Sequence, residues 1–123
     1  MTVARKDLGR RGEETARKHL QRNGYKILAR NYACPVGEID LIGYRDGCIV
    51  FVEVKTRAED AAGDPEDNIT PAKRRRLERA ARTWLAMHRQ PECAYRFDAV
   101  SVILPADGES RVRHIIEAFV PAR

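Results

Sequence analysis

The stretch that most constrains this chain is GEIDLIGYRDGCIVFVEVKTR, residues 37–57. Asp46-Gly47 is a favoured two-residue hairpin turn, because a type I′ turn needs φ > 0 at both central positions. With those residues as the loop, Arg45 faces Cys48, Asp40 faces Glu53 and Glu38 faces Lys55. Side chains alternate between faces of a strand, so these four charged residues share one face. Ile39, Leu41, Val50, Val52 and Val54 form an apolar surface on the other. A slip of one residue would undo this sorting, so the register is strongly specified.

Opposed like charges destabilise a sheet. Two carboxylates held face to face share a proton, recruit a cation or push one pKa upward. A hard divalent cation meets that need, since Mg²⁺ favours one or two carboxylates plus waters and phosphate oxygens. A solvated surface face with a Glu38–Lys55 pair is the plainer alternative. The apolar residues on both sides of the charges weigh against it, and Asp40 with Glu53 reads as a cation site beside Lys55.

The rest of the chain orders itself around this hairpin. A helix is expected from Lys6 to Arg22, ended by Asn23-Gly24. Its inward stripe is Gly9, Gly12, Glu13, Ala16 and Leu20. Glu13 on that packed face fits two readings equally, a buried ion pair with an arginine or a carboxylate aimed at the same cation. A strand is expected from Tyr25 to Asn31, then Pro35-Val36-Gly37 as the connection into the hairpin. The polar segment 58–69 reads as a mobile surface loop.

Thr70 and Pro71 stand in cap and first-turn positions of a second helix. Leu77, Ala80, Ala81, Trp84, Leu85 and His88 form its apolar stripe. Arg75, Arg79 and Arg82 lie on its outer face, with Arg74 and Arg76 on the flanks. His88 reads as a packed or capping histidine in preference to a ligand. Lys73 either reaches the hairpin acids or is a plain surface lysine. Two last strands are expected at Tyr95–Leu104 and Val112–Val120, with Asp98 as a strand-edge charge in preference to a partner supporting the site residues. The order is α-β-β-β-α-β-β, an α/β fold with a mixed sheet flanked by helices, and residues 1–123 form a single domain.

The net charge of +5 suits a polyanionic partner. Arg5, Lys6, Arg10 and Arg11, with Lys73, Arg75, Arg79 and Arg82, are the candidate phosphate contacts. A solvated helix face is the alternative for arginines in such numbers. Three cysteines without metal or redox spacing argue against a disulfide framework and point to a reducing cytoplasm. No secretion signal and no membrane span are expected.

Gly37-Glu38-Ile39-Asp40-Leu41-Ile42 and Phe51-Val52-Glu53-Val54-Lys55-Thr56-Arg57 together resemble the signature of the YraN-like family of small bacterial proteins. The resemblance extends to Gly12-Glu13, Arg30-Asn31-Tyr32, Thr70-Pro71-Ala72-Lys73, Arg96-Phe97-Asp98 and Ala118-Phe119. It implies a restriction-endonuclease-like core similar to that of archaeal Holliday-junction resolvases. It also implies Asp40 and Glu53 as metal ligands, the Val54 carbonyl as a third, and Lys55 as the lysine that positions or activates water. Glu13 matches the helix-borne acid of the resolvase branch. The implied chemistry is Mg²⁺- or Mn²⁺-assisted hydrolysis of phosphodiesters by an endonuclease acting on DNA, with branched or structured DNA among its substrates. One departure is Ala62, where the family often has an aromatic before Gly63. Resolvase-like enzymes work as two-fold dimers, so a homodimer is compatible with the resemblance. A nucleic-acid-binding module on a nuclease fold, with little or no cleavage, is the alternative; an adaptor using the arginine helix is a weaker third.

Overall fold

The computed structural model describes residues 3–59, 69–90 and 93–121. Its elements are α1 (Val3–Arg22), β1 (Lys26–Cys34), β2 (Gly37–Arg45), β3 (Cys48–Arg57), α2 (Pro71–Met87), β4 (Ala94–Ile103) and β5 (Arg111–Phe119). The expected order is observed, although α1 starts earlier and β1 runs three residues further than the sequence pattern indicates. Most of the expected 58–69 loop, including Ala62 and Gly63, lies outside the described residues, as does the Arg5 side chain.

The central turn forms as its chemistry requires. Asp46 and Gly47 both take left-handed backbone, with φ of +50° and +78°. The β2–β3 ladder then runs from Arg45↔Cys48 to Leu41↔Val52 in the expected register. Cys34 pairs with Gly37, so Pro35 and Val36 make a second tight connection, between β1 and β2. The five strands lie in the order β1-β2-β3-β4-β5, antiparallel except for the parallel β3–β4 pair that α2 bridges. This is the α-β-β-β-α-β-β arrangement of restriction-endonuclease-like folds.

Three of the helix boundaries follow from local chemistry. Gly24, at φ +87°, ends α1 in a Schellman motif: Tyr25 N–H donates to Leu20 carbonyl and Gly24 N–H to Gln21 carbonyl. Tyr25 and Leu20 are packed together in one apolar cluster. The Thr70 hydroxyl accepts the Lys73 backbone N–H at 3.2 Å, and Pro71 follows in the first turn. At the other end of α2, His88 Nδ1–H donates to the Trp84 carbonyl at 2.9 Å and the imidazole stacks on the Trp84 ring. His88 is thus the capping histidine that the sequence indicates.

The two helices cover opposite faces of the sheet. Ala16 and Leu20 of α1 close over Leu41, Val50, Val52, Val54, Val100 and Val102. Leu77, Ala80, Ala81, Trp84 and Leu85 of α2 close over Ile42, Ile49, Phe51, Phe97 and Ala99. Ile39 departs from its expected face: it joins the α2 cluster, while Leu41, two residues on, joins the α1 cluster. Strict alternation would put them together, so β2 is irregular at Asp40. The neighbouring strand is irregular at the same level, since Asn31 takes φ +51° inside β1.

Asp98 corrects the sequence reading, in which it was an edge charge. It is buried on β4, next to the edge strand β5, and accepts from Arg96 Nε at 3.0 Å and from the Glu117 backbone N–H at 3.0 Å. His114 Nε2 lies 2.7 Å from its other oxygen. Glu117 has φ +52°, and the β4–β5 register shifts there. A carboxylate fills this irregularity because the displaced N–H needs a buried acceptor.

Candidate functional site

The β2–β3 ladder stops at Leu41↔Val52, and the site begins where it stops. Asp40 Oδ2 accepts the Val54 backbone N–H at 2.7 Å. The irregularity of β2 turns this carboxylate toward β3 and away from the plain alternation of faces. Glu53, the next acid, is buried. Burial, and then the Glu53 charge, push the Asp40 carboxyl up to about 7, against the Val54 N–H that favours its ionised form. The two acids the hairpin register singles out therefore meet electrostatically.

Helix α1 brings a third acid. Gly12 is buried against β3, where a Cβ would lie 1.8 Å from Thr56 Oγ1. Only glycine allows this approach, and it delivers the next residue, Glu13, to the site. Glu13 lies within hydrogen-bonding reach of Asn31 and Asp40. Burial pushes its carboxyl above the usual range, Asn31 opposes the shift, and Glu53 and Glu38 add repulsion. The Glu13 carboxyl thus lies beside Asp40 and Asn31.

Two lysines face the acids. Lys73 forms an ion pair with Glu53 Oε1, and Lys55 Nζ lies 3.8 Å from the same oxygen. Lys55 is thus paired with Glu53, its neighbour on β3, and not with Glu38, which the hairpin register sets opposite it. Glu38 is exposed and pairs across β1 with Ala33. Burial, and then the ammonium of Lys73, depress the Lys55 pKa. For Lys73 burial acts downward too, but Glu53 outweighs it and the net shift is upward.

A cleft of about 470 Å³ opens over these groups, lined by Gly37, Glu38, Asp40, Glu53, Lys73, Arg76 and Leu77. Arg76 is a site residue that the sequence placed only on a flank of its helix. Arg75, Arg79 and Arg82 are exposed elsewhere on α2, and Arg82 sits 3.9 Å from Glu78. Arg74 is committed to structure, donating to the Ile69 carbonyl and lying over the Phe119 ring. On the α1 side Arg10 lines a small hollow with Glu13, Arg30 and Asn31. Arg11 lines none of these hollows and is exposed. Asn31 was missed as a site residue; its signals were an asparagine at the end of a strand sequence and its place in Arg30-Asn31-Tyr32.

Hard oxygen donors dominate the arrangement. Among the described residues no three His, Cys, Asp or Glu side chains gather as a complete metal cage. Two carboxylates suffice for Mg²⁺, which keeps several waters and shares phosphate oxygens with its substrate. The mutual repulsion of Asp40, Glu53 and Glu13 is what such a cation would relieve. The residues fit Mg²⁺ or Mn²⁺ and do not fit a closed zinc site.

Known proteins are similar to this one in sequence. The model of "Uncharacterised protein family UPF0102" matches residues 12–102. A UPF0102 protein of Geobacter metallireducens is 44% identical over 97% of this chain and 97% of its own length. One of Syntrophomonas wolfei is 44% identical over 93% and 98%, and one of Pelobacter propionicus 40% identical over 93% and 83%. The matched span contains Glu13, Asp40, Glu53, Val54, Lys55, Lys73 and Arg76. No helix among the described residues is long and apolar enough to cross a membrane.

Proposed function

The chain belongs to the UPF0102 family, and we propose that it is a metal-dependent nuclease hydrolysing phosphodiester bonds in DNA, branched or structured DNA included. One observation carries this reading: Asp40 and Glu53 converge where β2 and β3 part, with two lysines on Glu53 and a third acid against Asp40. A chain that only binds DNA has no use for carboxylates packed this way, because they repel phosphate.

Asp40, Glu53 and the Val54 carbonyl would hold the cation. When bound, it supplies charge neutralisation for the phosphate oxygens and lowers the pKa of water. The protein groups do the rest. Asp40 is fixed by the Val54 N–H, and Glu13 with Asn31 fixes its outer side. Lys55, half-buried with a depressed pKa, is placed to orient a water and to move its proton. Lys73 and Arg76 line the cleft as seats for phosphate oxygens.

A second reading keeps one observation of its own. Lys73 and Lys55 already neutralise Glu53, which a binding module with little or no cleavage would also do. Incubation of labelled linear, flapped and four-way DNA with Mg²⁺ or Mn²⁺ separates the two. Cleavage lost in Asp40→Asn supports the nuclease; binding without cleavage on every substrate supports the module.

A further inference from the structure

Lys73 reaches Glu53 from a different element than the other groups of the site. Its backbone is pinned by the Thr70 cap at the start of α2. Its side chain spans the cleft to Glu53 Oε1, where Lys55 also points from 3.8 Å. Two ammonium groups thus share one carboxylate oxygen. Glu53 is also the acid a cation needs beside Asp40, and a carboxylate tied to an ammonium is a weakened ligand.

The two lysines differ in freedom. Lys55 is fixed on a central strand, two residues from Glu53 and flanked by the β3–β4 ladder. Lys73 has a flexible four-carbon stem on the first turn of a helix, and about a third of its side chain is exposed. One helical turn along, Arg76 lines the same cleft. A Lys73 ammonium released from Glu53 would stand beside Arg76, and the two cations suit a phosphate group.

We propose that Lys73 is the resident counter-ion of Glu53, that a divalent cation displaces it, and that the freed ammonium joins Arg76 as a seat for substrate phosphate. This rests on the nuclease reading of the site. It makes cation and Lys73 competitors for Glu53, and it makes cation and phosphate helpers of each other. Binding of one is then linked to binding of the other by a shared charge.

The test is titration of Mn²⁺ alone into wild type, Lys73→Gln and Asp40→Asn, followed by calorimetry, with thermal melts in EDTA alongside. Without its competitor, Lys73→Gln should bind Mn²⁺ at least about fivefold more tightly than wild type. It should melt lower in EDTA and show a larger Mn²⁺-induced rise. Lys73→Arg, which keeps the charge, should bind Mn²⁺ as wild type does. Ca²⁺ should strengthen wild-type binding of a short DNA duplex and do so less for Lys73→Gln. Equal or weaker Mn²⁺ affinity in Lys73→Gln, with Asp40→Asn losing it, overturns the counter-ion role and leaves the nuclease reading standing. Absence of Mn²⁺ binding in every variant and in wild type overturns both.

Discussion

Asp40 Oδ2 accepts the Val54 backbone N–H at 2.7 Å, so a side chain stands where the β2–β3 ladder ends. The two strands part there, and the gap between them is the site. Asp40 therefore has a structural duty besides any chemical one, and the two can be separated.

Asparagine keeps an acceptor oxygen and removes the charge. Asp40→Asn should be at least as stable as wild type at pH 8 in EDTA, while Asp40→Ala, which strands the Val54 N–H, should lie about 1 kcal/mol below it. Glu53→Gln should behave differently. Opposed carboxylates alone would make the two acids equivalent, but Glu53 holds two lysines that Gln leaves uncompensated. A loss of about 1–2 kcal/mol is expected there. Equal shifts for Asp40→Asn and Glu53→Gln in urea denaturation would contradict this asymmetry.

The half-buried Asp40 and the buried Asp98 should also give opposite dependence on pH. The folded Asp40 carboxyl titrates near 7, above its ordinary 3.8, chiefly through burial. The folded state then binds the proton more tightly than the unfolded one, so in metal-free buffer its contribution worsens as pH rises from about 4 to 7. For Asp98, burial acts upward, but His114, Arg96 and the Glu117 N–H outweigh it and lower the pKa. Its contribution is present above the ordinary carboxylate range and is lost as pH falls through the folded value. Asp40→Asn should remove the decline between pH 4 and 7. Asp98→Asn should cost about 3 kcal/mol at pH 7, because Arg96 and His114 lose a buried partner, and should flatten the acid limb. Denaturation midpoints from pH 3 to 8 decide both.

The hairpin register was legible because turn chemistry and alternation agree on one pairing. The same rule failed at Ile39 and for the Glu38–Lys55 pair, since alternation assumes an unbroken ladder and Asp40 breaks it. The capped start of α2 placed Lys73 within reach, but periodicity cannot say where a four-carbon stem ends. Arg76 was indistinguishable from its arginine neighbours until Gly37 was seen to abut α2, where a Cβ would lie 2.7 Å from the Arg76 carbonyl. Asp98 was misread because the irregularity it fills belongs to the backbone of the partner strand β5, which side-chain alternation along β4 does not reveal.

Gly12 offers a test of how the third acid is delivered. Gly12→Ala places a methyl against Thr56 and should destabilise by about 1–3 kcal/mol through overpacking. Thr56→Ala in the same chain removes two of the three clashing atoms and should recover part of that loss. Melts of the single and double variants measure the coupling. Simple additivity would show that α1 does not depend on this contact.

Phosphate contacts are predicted to follow the cleft. Arg76→Ala should weaken duplex binding and lower the slope of log affinity against log salt by about 0.9. The triple change Arg75→Ala, Arg79→Ala and Arg82→Ala should have a smaller effect per residue, because those side chains lie off the cleft. A larger effect per residue from the triple variant would move the DNA path onto the outer face of α2.

Cleavage itself is the last expectation. Asp40→Asn and Glu53→Gln should both abolish detectable cleavage, since each removes a ligand charge. Lys55→Ala should reduce the rate by about 100-fold or more while keeping Mn²⁺ affinity, because its part is toward water and its proton. Glu13→Gln touches the reaction only through Asp40, and a loss of about 10- to 100-fold is expected, typical of groups that orient a ligand. DNA binding in EDTA should survive all four changes, or strengthen slightly where a carboxylate is removed. The measurement is single-turnover cleavage of linear, flapped and four-way substrates with Mg²⁺ and Mn²⁺, beside binding in EDTA. Wild type that binds DNA but cuts none of these substrates with either metal would give the site to the binding module. The lysines would then remain on Glu53 as permanent partners, and Asp40 would be left with the Val54 N–H as its whole duty.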